Sequence, residues 1–169
     1  HYEDMPHMPP SAGCSTPIRV FDMDCLDCAR LLKFFYEFNP VVLNMASEKK
    51  PGGGVEWGCL AQEESLFRRS NYHLSLLPEL YPIASDELIY SPRVHISRAS
   101  DKDWSYYSQG FYLDFIASAA IKNPAVTDGQ YFENADRELM KAKIEHIFSA
   151  AYMKGHDSIL LSAFGCGAY

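Results

Sequence analysis

Apolar and polar positions alternate or cluster along the chain in a way that divides it into short strands and longer helices. Ile18 to Phe21 alternates, the pattern of a half-buried strand. Asp24 stands where a helix N-cap would, and Cys28, Leu31 and Leu32 share one apolar face of a helix predicted over 25–37. Asn39-Pro40 stops it, because the residue before proline avoids the helical region. Val41-Val42-Leu43 is a continuous apolar run of the kind buried on both faces of a sheet, and Asn44 closes it. Further on, 59–70 reads as helix, 88–90 and 94–96 as two short strands around Ser91-Pro92-Arg93, and 111–117 as a longer apolar strand. Residues 118–132 form a polar loop with turns at Asn123-Pro124 and Asp128-Gly129. A helix capped by Asn134 then runs to Lys154, with Gly155 as its terminator and Met140, Ile144, Ile147, Phe148, Ala151 and Tyr152 as its apolar face. Ile159-Leu160-Leu161 is a last buried strand. Strands and helices alternate without a repeat, so the pattern predicts an α/β fold, a mixed sheet sandwiched between helices. Such folds bind ligands in loops beyond the carboxyl ends of their strands.

Composition narrows the class. The 169 residues are 47% hydrophobic, enough for one domain with a sizeable core, behind an irregular lead-in over 1–16. No apolar run approaches the roughly 20 residues needed to cross a bilayer, and the Met-Pro-rich N-terminus does not read as a secretory signal. A net charge of −7 argues against a polyanion binder that works by bulk charge. Five cysteines, an odd number, fit a reducing, intracellular setting better than a disulfide framework. Cys25-x-x-Cys28 lacks the second ligand pair of a zinc site, the six histidines are scattered without ligand spacing, and no metal or other cofactor is expected.

Chemistry concentrates in three segments. Gly52-Gly53-Gly54 weakens any regular element, so its use is backbone geometry: close approach of a ligand and a possible nest of N–H groups for an anion. No Gly-Lys-Ser/Thr follows, which excludes a phosphotransfer P-loop. After seven residues comes Gln62-Glu63-Glu64. Neighbouring helical positions diverge by roughly 100°, so these acids are not a facing glycosidase pair; one is expected in a cleft and the other along its rim. Gly165-Cys166-Gly167, after the last strand, is a second anion-nest candidate. Cys166 lacks the His/Asp pattern of a nucleophile. Arg68 and Arg69 are expected on a solvated helix face, within possible reach of a phosphate.

In combination, Asn44-Met45-Ala46-Ser47, Pro51-Gly52-Gly53-Gly54 and Gln62-Glu63-Glu64 at this spacing resemble the microbial type of poly(ADP-ribose) glycohydrolase, a family of macrodomain fold. The resemblance extends through Tyr90-Ser91-Pro92 and 162–167, from about Pro17 to Tyr169. It implies a catalytic domain over 17–169 that hydrolyses ribose–ribose bonds of poly(ADP-ribose) and releases ADP-ribose, without a cofactor. Glu64 would be the general acid and base. Glu63 and Asn44 would hold hydroxyls of the terminal ribose, and Gln62 would shape the pocket. Gly52, Gly53, Gly54 and Val55 on one side, and Gly165, Cys166 and Gly167 on the other, would cradle the diphosphate. Tyr169 stands where relatives often have phenylalanine, near the distal ribose. Its partners would be poly(ADP-ribose) or ADP-ribosylated proteins as substrate and ADP-ribose as product, in nucleus or cytoplasm, with no membrane and no sequence-specific nucleic acid. A non-catalytic reader of ADP-ribose and a hydrolase of mono-ADP-ribosylated proteins are the rival readings. Relatives continue past this point with further helix and strand, so a C-terminally incomplete sandwich is expected.

Overall fold

The computed structural model describes residues 16–100, 104–124, 126–127, 131–132 and 134–167. Its frame is a four-stranded mixed sheet in the order β2-β3-β1-β6, from β1 (Pro40–Met45), β2 (Ile89–Arg98), β3 (Tyr106–Ser118) and β6 (Ser158–Leu160). β1 runs parallel to both β3 and β6, while β2 pairs antiparallel with β3. Helices α1 (Cys25–Phe34) and α2 (Gln62–Arg69) cover one face and α3 (Asn134–Met153) the other. Alternation along β1 joins the layers: Val42 packs with Leu26, Ala29 and Leu66 on the α1/α2 side, and Val41 and Leu43 pack with Ile147 and Ala151 on the α3 side. The expected sandwich is therefore present. None of the described helices is long and apolar enough to cross a membrane.

Local chemistry explains most boundaries. The Asp24 carboxylate accepts from the N–H groups of Leu26 and Asp27, at 3.0 and 3.1 Å, and caps α1 as expected. α1 ends at Phe34, earlier than predicted, because the chain reverses through Glu37 in the left-handed region (φ 58°) before entering β1. The two short strands expected around Pro92 are one strand, β2. Pro92 has no N–H for the ladder, so the strand bulges between Ser91 and Val94, and the Arg93 N–H turns to Asp114 Oδ1 at 2.8 Å.

Several expectations are corrected. Ile18–Phe21 is not a strand: no strand among the described residues pairs with it, and Ile18 and Val20 are more than nine-tenths exposed. Asn44 lies inside β1, fully buried, rather than closing it. Within the loop expected over 118–132, Val126–Thr127 (β4) and Tyr131–Phe132 (β5) pair antiparallel. Asn134 is the first helical residue of α3, not its cap. That helix buries Lys143, Ile147, Ala150 and Ala151, while Ile144, Phe148 and Tyr152 of the predicted apolar face are exposed. The contact with the sheet is thus centred to one side of the sequence's apolar stripe. The lead-in expected over 1–16 falls, except for Thr16, outside the described residues.

Arg69 corrects the solvated-face reading too. Its guanidinium is 1% exposed and donates to Asp24 Oδ2 at 2.9 Å and to the Arg98 carbonyl at 3.3 Å. The carboxylates gathered at the start of α1 draw it inward. Asp24→Ala removes both the helix cap and the main partner of a buried cation, so it should cost about 3 kcal/mol or more, read as a lowered denaturation midpoint. A change below about 1 kcal/mol contradicts this pairing.

Candidate active site

The parallel strands β1, β3 and β6 end at Met45, Ser118 and Leu160, on one edge of the sheet. The loops that follow enclose a cavity of about 440 Å³. Its wall takes Met45 at the end of β1, Ala46, Ser47, Gly53, Gly54 and Trp57 after it, Ala61 to Glu64 at the start of α2, Ala120 after β3, and Ala163 and 165–167 after β6. This is the site expected of the topology.

Gln62 anchors α2 to the sheet. The Ala46 N–H donates to Ser118 of β3, so even positions of β1 face β3 and odd positions face the β6 side. β6 pairs with β1 only as far as Val42, which leaves Leu43 and Met45 without a neighbouring strand there. The Gln62 carboxamide takes that strand's place: Nε2 donates to the Leu43 carbonyl at 3.0 Å, and Oε1 accepts from the Met45 N–H at 2.9 Å. The next two residues are thereby held against the strand end.

Both carboxylates meet the glycine loop. Glu63 Oε2 accepts from the Ser47 N–H (2.7 Å), and Oε1 from the Gly52 N–H (3.2 Å) and Asn44 Nδ2 (3.4 Å). Glu64 Oε1 accepts from the Gly54 N–H at 2.7 Å, while its Oε2 is buried with no hydrogen-bond partner among the described residues. The expectation of one acid in the cleft and one on the rim is corrected: Glu63 and Glu64 are 3% and 6% exposed. The loop wraps the first turn of α2, so side chains that diverge around the helix both reach it. Two N–H groups of the triplet thus hold the chain's own carboxyl groups.

Glycine is required where this approach is closest. Gly53 has φ +53°, and a Cβ there would sit 2.6 Å from Glu64 Oε1 and 3.2 Å from Glu63 Oε2.

Burial pushes the Glu63 carboxyl up to about 7, against the lowering effect of Ser47, Asn44 and Gly52 and with a small further rise from Glu64. An unfolded glutamate titrates near about 4.3. The contribution of Glu63 to stability is therefore fully present below that value and is lost as the pH rises through about 7. The melting temperature of the wild type relative to Glu63→Gln should fall between about pH 5 and 7 and level off above about 8. A difference that stays constant across that window contradicts the shift.

Behind Glu63 lies a buried polar cluster. The Tyr72 hydroxyl approaches Asn44 and Ser91 without closing a hydrogen bond of normal geometry, and Tyr81 stands near it. Burial raises both phenols far above their usual range.

Of the residues singled out in the sequence, Gly53, Gly54, Gln62, Glu63, Glu64, Gly165, Cys166 and Gly167 line the cavity together. Asn44 and Gly52 lie behind the wall as donors to Glu63. Val55 is not on the wall; it opens a 3-10 turn over Val55–Trp57, and its carbonyl accepts from Arg68 Nη2 at 3.2 Å. Tyr169 lies outside the described residues. The Ser47 N–H, Ala120 and Trp57 were missed: the first acts through backbone, the second is an alanine, and the third sits in a loop without periodicity.

Comparison with known proteins places this geometry. Residues 1–99 match the family described as microbial-type PARG, catalytic domain. No curated protein matches. Among solved structures, poly(ADP-ribose) glycohydrolase (PARG) from Thermomonospora curvata is similar with a TM-score of 0.82 and 30% identity, covering 99% of this chain and 63% of that one. The same organism's enzyme bound to the inhibitor ADP-HPD is similar with a TM-score of 0.75 and 30% identity over 88% of this chain and 58% of that chain. The PARG of Deinococcus radiodurans in complex with ADP-ribose follows with a TM-score of 0.71 and 27% identity, over 89% and 63%. The chain spans less than two thirds of the length of these structures. By sequence match, fold and shared architecture, it belongs to the microbial-type poly(ADP-ribose) glycohydrolase catalytic-domain family.

Proposed function

We propose that residues 17–169 contribute the catalytic domain of a poly(ADP-ribose) glycohydrolase that releases ADP-ribose from the polymer. The observation that carries this reading is Glu64, a residue of the cavity wall: one carboxylate oxygen is fixed by the Gly54 N–H, and the other is buried without a hydrogen-bond partner among the described residues. A buried polar atom left open calls for a ligand group, and here that is the glycosidic oxygen. Protonated Glu64 gives its proton to the leaving 2′-oxygen as the bond from that oxygen to the terminal ribose C1″ breaks. A water adds to the oxocarbenium-like C1″ and returns a proton to the Glu64 carboxylate. One glycosidic bond and one water become two hydroxyls, with no other reactant.

Glu63 and Asn44 orient the terminal ribose hydroxyls in this reading. Asn44 Nδ2 and the N–H groups of Ser47 and Gly52 keep Glu63 in one place, so little ordering remains when the sugar arrives. With Gly52 and Gly54 N–H groups engaged by carboxylates, the 165–167 loop across the cavity carries more of the diphosphate.

Labelled poly(ADP-ribose) and a mono-ADP-ribosylated protein, each incubated with the full-length protein, test the assignment. Release of ADP-ribose from the polymer is expected. Retention of polymer without release identifies a reader instead, and release from the mono-modified protein alone identifies the other hydrolase.

A further inference from the structure

A large aromatic side chain stands open at the cavity that none of the roles above uses. Trp57 is 73% exposed, lines the cavity, and its N–H is tied at 3.0 Å to the carbonyl of Gly54, the residue whose own N–H holds Glu64. Lys50 Nζ lies 3.6 Å from the centre of the indole ring and 3.4 Å from Glu56 Oε2. Exposure of so much apolar ring is unfavourable in water, while an ammonium on one face leaves the other for a planar partner.

The proposed reaction supplies that partner. The 2′-oxygen protonated by Glu64 belongs to an adenosine, whose purine hangs from the carbon next to the one bearing that oxygen. The leaving side of the scissile bond therefore carries an aromatic base and, further along, a phosphate. We propose that Trp57 and Lys50 form the leaving-side subsite, with the purine of the departing adenosine stacked on the indole and its phosphate facing the ammonium. This rests on the glycohydrolase reading and adds a specificity element to it. It also accounts for a binding contact with polyanion in a chain of net charge −7: the contact is local, one cation beside one stacking surface.

The test uses the full-length protein carrying Glu64→Gln, so that binding is read apart from turnover. Adding Trp57→Ala should weaken binding of short poly(ADP-ribose) chains about tenfold, the scale of one base–aromatic stack, and leave ADP-ribose affinity within about twofold. Trp57→Phe, which keeps a ring, should recover most of the loss. Lys50→Gln should flatten the salt dependence of polymer binding. Equal polymer affinity with and without the indole overturns the subsite, and so does an equal loss for ADP-ribose, which would put Trp57 on the product side. Wild-type protein that binds and digests polymer while Trp57→Ala matches it at every step leaves the glycohydrolase reading standing and removes this one.

Discussion

Replacing Glu64 by glutamine should lower release of ADP-ribose from poly(ADP-ribose) by about a thousandfold or more, while ADP-ribose affinity stays within about twofold. The substitution is close to isosteric. The amide oxygen can still accept from the Gly54 N–H, and the buried position loses no volume. What disappears is the ability to give and regain a proton at the atom that has no partner among the described residues. In the proposed reading, the product's binding contacts lie elsewhere along the cavity wall and should survive. Initial rates on labelled polymer, with calorimetric titration of ADP-ribose, read the two quantities separately. Activity within tenfold of wild type removes Glu64 from the acid role; equal losses in rate and affinity would make it a binding residue.

Gly53→Ala is the second large effect, and it acts through geometry alone. At φ +53° an alanine costs about 1–2 kcal/mol of backbone strain. The greater consequence lies in the new methyl group, 2.6 Å from Glu64 Oε1 and 3.2 Å from Glu63 Oε2, which forces at least one carboxylate out of place. A displacement approaching 1 Å at a reacting group lowers the rate about a hundredfold. Gly58 supplies the control. Its φ of +78° imposes comparable strain, yet a Cβ there meets nothing within 4 Å. Gly58→Ala should lower the melting temperature and retain hydrolysis, whereas Gly53→Ala should lose both. Equal activity in the two variants would show that the loop's glycines serve backbone conformation only.

The contrast between these glycines also shows how much of the site is legible in sequence. Three consecutive glycines, seven residues and Gln-Glu-Glu announce a built loop and an acid pair, and the strand ends that carry them follow from apolar runs such as 41–43. The Asp24 cap is equally local, since its two backbone donors lie within three residues. What was not legible depends on partners distant in the chain. Nothing around Ile18–Phe21 says that no strand will pair with it, and nothing in the α3 pattern says which part of its apolar stripe the sheet covers. Arg69 looks like a surface residue until Asp24, 45 positions earlier, is brought to 2.9 Å. The glycine N–H groups look like a nest for a ligand until α2 delivers two carboxylates to them. Trp57 carries no signal at all in a loop without periodicity; only its exposure at the cavity distinguishes it.

The rate at which the full-length protein releases monomeric ADP-ribose from end-labelled poly(ADP-ribose), with a chelator present and with Glu64→Gln run beside it, is the most direct measure of the central assignment. Steady release by the wild type that the chelator does not alter, and none within detection for Glu64→Gln, is the expected result. Release that persists without the Glu64 carboxyl, or intact polymer retained by both proteins, would contradict it.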